Sequence, residues 1–431
     1  MNNRQLDVTM DGTLIGSVTM TAGGSLSFAY SDEYISTSTP TPLSLSMPLS
    51  RKKYGNRIIM PFLQGLLPDN PLALESMAAR YGVSPSSPFA LLEYVGHDVA
   101  GALQFLRPGQ ISEDANADRT ALTPISEDAL TQLLKNAIAV YSNGARSSGA
   151  YRMSLAGAQA KFGATTAPDG SWAIPDRGAP STVIFKPQYA DAGAFPDSDI
   201  VELFCQHVLA AAGIPAANTT WWSSPDGSVH AIVSQRFDRQ HVDDGTFRRL
   251  HQEDFCQALS VPPSKKYQRQ DGGPGIGQIG NLLKSQLQPQ QSIDVATRFL
   301  EALTANIALL NTDAHAKNYA LMLEGANVHL APMYDVVSIG AFLTPDDHPL
   351  FSMRINGTYD LEHVFPESLV KEGLRLGLAA EQAQTIVWNT AHAIQSSLSQ
   401  TAEQFTIPDT HRVIPRTIEA IEKHSALLKA L

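Results

Sequence analysis

Hydrophobic positions follow two successive periods along this chain. Near the start the apolar residues fall in runs of strand length. Leu6–Met10 and Leu14–Met20 flank Asp11-Gly12, a dipeptide that readily takes the positive φ angles of a tight hairpin. Leu26–Tyr30 reads as a third strand, and the Thr-, Ser- and Pro-rich stretch Ser36–Pro42 as a loop. Phe62–Arg80 is helical in part, interrupted at Leu66-Leu67-Pro68-Asp69-Asn70-Pro71. Residues 1–107 therefore form a small α+β subdomain. Residues 108–125 are polar and aperiodic and read as a linker. Ser126 is a candidate N-cap for a helix over Glu127–Val140. Lys161–Thr165, Trp172–Ile174 and Val183–Lys186 are strand candidates. Val229, Ala231 and Val233 alternate with His230, Ile232 and Ser234, the pattern of a half-buried strand. Between them Ile200, Leu203, Phe204, Val208 and Ala211 share one helix face within Asp199–Ala212. Residues 126–248 thus make a β-rich second unit.

From 249 to 431 the period becomes helical. Phe299, Leu300, Leu303, Ile307 and Leu310 form one stripe, and Ile386, Val387, Ile394 and Leu398 another. Ile418, Ile421 and Leu428 predict a last helix. A β-containing half followed by a helical half predicts a two-lobed α+β architecture with a cleft between the lobes.

Composition narrows the function classes. A chain of 431 residues with 43% apolar content can bury substantial cores. The net charge of −11, with no compensating basic run, argues against direct binding of nucleic acid. Cys205 and Cys256, far apart and in no CxxC pair, argue against a disulfide framework or zinc site and read as small buried hydrophobes. The N-terminus lacks the apolar core of a secretion signal, and no run is long enough to span a bilayer, so a cytoplasmic protein is expected. HExxH and GxSxG patterns are absent.

The chemistry concentrates where a helical stripe ends. Asn311-Thr312-Asp313-Ala314-His315-Ala316-Lys317-Asn318 contains the Asp-x-x-x-x-Asn spacing of a kinase catalytic loop. There the Asp accepts the proton of the attacking hydroxyl, and the Asn holds Mg²⁺ on the ATP phosphates. Asp335, in Ala331-Pro332-Met333-Tyr334-Asp335, stands where a second metal ligand belongs. Read alone, Asn311 and Asp313 equally well end a helix. Val183-Ile184-Phe185-Lys186 is an apolar strand ending in a lysine that can reach phosphate, with Glu202 on the next helix as its orienting partner. The plain alternative is a snorkelling lysine and a solvated glutamate. Ser154-Leu155-Ala156-Gly157-Ala158-Gln159-Ala160-Lys161 precedes a strand with residues small enough for main-chain N–H groups to cradle phosphate. It matches neither GxxxxGK[ST] nor GxGxxG, and a plain turn explains it as well. Gly272-Gly273-Pro274-Gly275-Ile276-Gly277 lacks a preceding strand and reads as a flexible connection near the substrate.

These residues sit in a longer set of motifs. The set comprises Phe62–Asn70, Gly96–Ala102, Arg152–Gln159, Gln235–Arg239, His251–Asp254, Lys266-Tyr267 with Asp271–Gly275, and the segments around Asp313 and Asp335. With them the chain resembles, nearly end to end, the HipA family, the serine/threonine kinase toxins of bacterial toxin–antitoxin pairs. The resemblance implies a protein-kinase-like fold with an extra N-terminal subdomain, a β-rich N-lobe and an all-helical C-lobe. It implies Asp313 as general base and Asn318 and Asp335 as Mg²⁺ ligands. It places ATP against Ala156, Gly157, Ala158, Gln159, Ala160, Lys161 and Lys186, and adenine against Gln235, Arg236 and Phe237. His315, Ala316, Lys317, Asn318, Tyr334 and Asp335 complete the nucleotide site, and Ser154 matches the autophosphorylated serine. Gln235 stands where the family often has Glu, and Ala160 replaces a common Glu. The implied partners are a helix-turn-helix, HipB-like antitoxin, DNA only through it, and protein targets that include aminoacyl-tRNA synthetases. The expected outcome is growth arrest and persistence. Two other readings stay open, a kinase-fold corepressor and a kinase of small molecules or lipids.

Overall fold

Asp11 and Gly12 both take positive φ, 46° and 83°, and close the first hairpin. Strands Arg4–Met10, Thr13–Met20 and Leu26–Tyr30 pair antiparallel in sequence. Lys53–Gly55 and Leu103–Leu106 extend them to a five-stranded sheet. Leu6, Val8, Ile15, Val18 and Phe28 meet Phe62, Leu63, Phe89 and Leu92 from helices Asn56–Gly65 and Pro88–Val95 in one buried core. Each such side chain fully withdrawn from water contributes about 1.5–3 kcal/mol. The break expected at Leu66–Pro71 is a helix start. Asn70 Oδ1 accepts from Leu72 N and Ala73 N at 2.9 and 3.2 Å. Pro71 stands at the first helical position of Pro71–Tyr81, where a missing N–H costs nothing.

The structure, a computed structural model, describes residues 3–111, 120–145, 153–167, 169–176, 178–189, 196–242, 246–344, 347–407 and 413–430. Residues 112–119 of the expected linker and Arg152 of the motif set lie outside them. Ser126 caps helix Glu127–Asn143, its Oγ accepting from Ala129 N at 3.2 Å. The helix sets Leu130 and Leu134 against Phe162, Val183, Phe185 and Val229 of a second sheet. In that sheet strands Val229–Gln235, Val183–Tyr189, Phe162–Thr166, Trp172–Pro175 and Leu122–Pro124 are successive neighbours. Val229 to Val233 are all buried, so the alternation that predicts a half-buried strand does not carry over to its exposure.

The chain divides into two compact units. The first takes Met1–Tyr189, Trp222–Ser264 and Met322–Asn327; the second takes Ala190–Trp221, Lys265–Leu321 and Val328–Leu431. This differs from boundaries at 126, 248 and 249 for physical reasons. The apolar face of helix Ser198–Ala211, which carries Glu202, belongs with the helical unit. There Phe204 meets the Phe405 ring edge-on at 5.6 Å. His251–Asp254 belongs with the first unit. His251 Nε2 lies 2.9 Å from Leu43 O, and Leu45 N donates to Glu253 Oε1 at 2.7 Å.

The second unit is built on helices Pro289–Ala308, Pro366–Leu376 and Ala380–Gln404. The last buries Val387, Ala391, Ile394 and Leu398 in helical register. The expected final helix is two helices, Val413–His424 and Ala426–Lys429. Ser425 is extended between them and its Oγ accepts from Leu428 N. The unit also holds a hairpin, Leu350–Ile355 with Thr358–Asp360, closed by Asn356-Gly357 at φ 45° and 96°, a turn signal that the sequence reading passed over. Cys205 and Cys256 are both buried and unbridged by a disulfide. Among the described residues no helix is long and apolar enough to cross a membrane.

Candidate active site

Helix Pro289–Ala308 delivers the candidate loop Asn311–Asn318 through a sharp stop. Leu310 takes φ 56°, and Asn311 N returns to Asn306 O at 2.8 Å. An apolar residue in the left-handed region persists only where its surroundings hold it there. The restraint comes from a chain of amides. Asn306 Nδ2 donates to Tyr319 Oη at 3.0 Å, and Asn311 Nδ2 donates to Asn306 Oδ1 at 2.8 Å. Asn311 Oδ1 accepts from Asp313 N at 3.3 Å, and Asn311 Nδ2 also reaches Asp335 O at 3.4 Å. Asn306 and Asn311 are both buried. One side chain, Asn311, thereby ties the backbone of Asp313 to that of Asp335. Asp335 itself sits at φ 59°.

The rest of the loop closes on Asp313. His315 N donates to Asp313 O at 2.7 Å, Asn318 N to His315 O at 2.8 Å, and Asn318 Nδ2 to Asp313 O at 2.9 Å. Tyr334 Oη donates to Lys317 O at 2.8 Å. Ala316 and Lys317 are buried, and their main chain forms a single 3₁₀ turn, Ala316–Asn318. Asp313, His315, Lys317, Asn318, Tyr334 and Asp335 thus come together within the second unit. The Asp313 carboxylate is reachable by solvent and accepts a 2.6 Å hydrogen bond from Tyr267 Oη. Its pKa is raised. Crowding by protein raises it most, the Tyr267 bond pulls it down, the charge of Asp335 raises it, and Lys266 lowers it.

In the first unit the candidate phosphate loop is seated on the N-terminal motifs. Ser154 N donates to Asp98 O at 3.0 Å and Asp69 N to Gly157 O at 2.9 Å. Ser154, 1% exposed, donates through Oγ to Leu66 O at 2.9 Å. Gly157 takes φ 116°, and a Cβ there would fall 2.3 Å from Lys161 Nζ. Lys161 uses that space to donate to Ala156 O at 2.8 Å, so its ammonium braces the loop from inside. Ala158, Gln159 and Ala160 complete the turn before strand Phe162–Thr166. Phe162 pairs with Phe185, which sets Lys161 and Lys186 beside one another on neighbouring strands. Gln235 pairs with Val183 at the end of the next strand and is exposed; Phe237 is half-buried.

Arg236 turns its side chain inward. Its guanidinium is buried and donates to Asp238, Ser181 Oγ and Val99 O at 2.8–2.9 Å, and to Asp98 Oδ1 at 3.4 Å. Arg239 donates to the same Asp98 carboxylate at 2.7 Å and lies 3.2 Å from Asp238. Burial alone would raise the Asp98 carboxyl, but Arg236, Arg239 and Arg249 outweigh it and hold it low. The Arg236 side chain is therefore a structural tie, and its N–H already serves Thr182 O at 2.9 Å. Glu202 is buried on its helix in the second unit.

Sequence reasoning missed Asn306, Asn311 and Tyr267 as parts of the site. The signal for the first two was present: amides embedded in an otherwise apolar helical stripe and at its end. Gly272–Gly275 is a close-packed link between helices Gln268–Asp271 and Ile276–Gln286, with Gly273 N donating to Tyr267 O at 3.0 Å.

The profile of the HipA N-terminal domain matches residues 6–106, and that of the HipA-like C-terminal domain matches residues 153–398. The protein Y4mE of Sinorhizobium fredii, named as a kinase, is 35% identical over 411 residues, 94% of each chain. The serine/threonine-protein kinase toxin HipA of Shewanella oneidensis is 27% identical over 350 residues, 78% of this chain and 75% of that one. A solved chain from the Shewanella oneidensis complex of HipA, HipB and operator DNA superposes with a TM-score of 0.78 at 22% identity, covering 98% of both chains. That likeness establishes the kinase-like fold. Matched across both of its domains, this chain belongs to the HipA family and is a kinase-like protein.

Proposed function

We propose that the chain is an ATP- and Mg²⁺-dependent serine/threonine protein kinase, the toxin of a toxin–antitoxin pair. One observation carries this reading: the Asn311 amide ties Asp313 to Asp335, and the Asn318 amide closes on Asp313 O. Asp313 takes the proton of the acceptor hydroxyl as that oxygen attacks the γ-phosphorus. The bond to the β–γ bridging oxygen breaks, and ADP leaves.

The donor set fits magnesium. Among the described residues no cluster of three or more His, Cys, Asp or Glu could hold a metal unaided. Asn318 and Asp335 offer hard oxygen donors, the small set used when phosphates complete the shell. Asp335 also repels charge on Asp313, an imbalance that a cation between substrate and loop relieves. When bound, the ion neutralises charge on the phosphates. Lys186 and the main chain of Ala156–Lys161 orient those phosphates, and Gln235–Phe237 borders adenine. Glu202 is the orienting partner of Lys186 in this reading.

Ser154 is the autophosphorylation site, and the modification is an off-switch. A phosphoserine carries close to two negative charges. In the buried seat of Ser154 it would replace a donor to Leu66 O with acceptor oxygens. The partner is a HipB-like helix-turn-helix antitoxin, with DNA bound only through it. Support comes from the acidic composition of this chain and from the HipA–HipB–DNA complex of the Shewanella relative. The target is a cytosolic protein of the aminoacyl-tRNA synthetase class, and its modification arrests growth.

Asp313→Asn and Asp335→Asn test the assignment. Both should lower phosphoryl transfer from Mg-ATP by about 10²–10⁴-fold. Only Asp335→Asn should also weaken Mg-ATP binding by titration. Wild-type transfer rates in either purified variant would refute these roles.

A further inference from the structure

The lysine–tyrosine pair at 266–267 belongs to the motifs, yet the phosphoryl-transfer chemistry leaves the tyrosine without a part. Its hydroxyl donates to Asp313 Oδ1 at 2.6 Å. Its ring meets His315 edge-on, centroids 4.9 Å apart at 76°. His315 is 4% exposed and lies inside the catalytic loop, so the tyrosine ring packs edge-on against a fixed wall. The tyrosine main chain is equally fixed. Tyr267 O accepts from Asp271 N at 3.2 Å and from Gly273 N at 3.0 Å. A Cβ on Gly273 would fall 2.0 Å from Lys265 O, so only glycine lets the Asp271–Gly275 turn press against the Lys265–Tyr267 backbone. The glycine-rich motif thus clamps the tyrosine from behind while His315 holds it from the side.

We propose that Tyr267 is a positioning residue for the general base: its hydroxyl pins Asp313 Oδ1 and so presents Oδ2 to the acceptor hydroxyl. A carboxylate on one Cβ–Cγ bond rotates freely unless a partner fixes it, since this terminal torsion is broad. The loop fixes only the backbone of Asp313, through Asn311 Oδ1, His315 N and Asn318 Nδ2. Among the described residues, Tyr267 supplies the hydrogen bond that restrains the side chain. A hydrogen bond of this length to a charged acceptor is strong enough to select one rotamer. In-line transfer needs the base aimed at the hydroxyl proton, and misaiming costs rate without costing nucleotide affinity. The tyrosine hydroxyl bonds to the base, so metal binding at Asn318 and Asp335 should not depend on it.

This inference rests on the kinase reading, and the experiment separates the two. Purified full-length wild-type, Tyr267→Phe and Asp313→Asn proteins are compared for ADP formation from Mg-ATP with a generic serine-rich protein acceptor. Tyr267→Phe keeps the ring on His315 and removes only the hydroxyl. The expected result is a fall in kcat of about ten- to a hundredfold, with an unchanged KM for Mg-ATP and an unchanged melting temperature. If wild type forms no more ADP than Asp313→Asn, the kinase reading fails and takes this inference with it. If wild type is active and Tyr267→Phe matches its kcat, the inference alone fails. A faster Tyr267→Phe would also overturn it, because the phenol would then be blocking the base. A parallel rise in KM and fall in melting temperature would assign the residue to packing instead.

Discussion

Two candidate loops, one in each compact unit, are held by opposite means. Met153–Lys161 is attached from outside itself, by hydrogen bonds to the main chain of Leu66, Asp69 and Asp98. Its pairings with Pro68 and Asp98 are isolated bridges, not strands. Asn311–Asn318 is attached from within, by side chains that continue the interior of a helix. A segment hung on single hydrogen bonds can leave as a unit while the sheet core beside it stays closed. A segment whose amides are buried with the helix end cannot leave without opening that core. In the proposed function, the difference suits the first loop to regulation and the second to constancy.

Asp98 is where the first loop is easiest to break. Its main-chain oxygen receives Ser154 N, while its carboxylate receives Ser181 N at 2.8 Å and both buried guanidiniums. Asp98→Ala leaves Arg236 and Arg239 with the Asp238 carboxylate and neutral oxygens such as Val99 O and Gly101 O. Removing one partner from such a buried network typically costs about 3–5 kcal/mol. Urea unfolding should show a loss of that size, the largest expected from any single change in this region. A loss below about 1 kcal/mol would mean that the guanidiniums find other partners, and that the seat of the loop is softer than its contacts indicate.

Much of this arrangement was legible in the residues. Strand Leu26–Tyr30 and helix Glu127–Asn143 follow from period and cap chemistry. The stop after the stripe ending at Leu310 follows from polar residues interrupting an apolar pattern. What period cannot report is which partner a helix chooses. Helix Ser198–Ala211 has an apolar face that would suit either unit, and only tertiary packing assigns it to the second. Motif position likewise does not report side-chain direction. Arg236 lies in a segment matched to adenine, yet its guanidinium turns inward to two aspartates, one of them far away in sequence. Asn311 reads as a helix-ending residue and is one. Its second role, bridging Asp313 to Asp335, depends on a contact across the loop that no spacing rule encodes.

Asn311→Ala is the matching test of the second loop. It removes the acceptor for Asp313 N and the donor to Asn306 Oδ1, leaving polar groups without partners in a buried place. The expected loss is about 1–3 kcal/mol of unfolding free energy. Phosphoryl transfer should fall further than the remaining folded fraction explains, because Asp313 and Asp335, the proposed base and metal ligand, lose a common anchor. A variant equally destabilised but fully active per folded molecule would show that the scaffold serves the helix end only.

Ser154→Ala should have the smallest effect on the fold and the most informative one on function. The substitution removes one hydrogen bond to Leu66 O, worth about 0.5–1.5 kcal/mol, and keeps the main-chain bond to Asp98. The loop should stay seated and Mg-ATP affinity should be unchanged. Phosphorylation of the same atom should act in the opposite sense. The phosphate cannot donate to Leu66 O as the hydroxyl does, and it cannot be hydrated at a residue 1% exposed, so the seat must be given up. Gly157, Lys161 and the intervening main chain would leave with it. After incubation with Mg-ATP, mass spectrometry should find phosphate on Ser154 in wild type and none in Asp313→Asn. Nucleotide titration should then show weaker binding to the phosphorylated protein than to either the unmodified protein or Ser154→Ala. Equal affinities for all three would break the comparison, because the loop hung from outside would then be as constant as the loop anchored within.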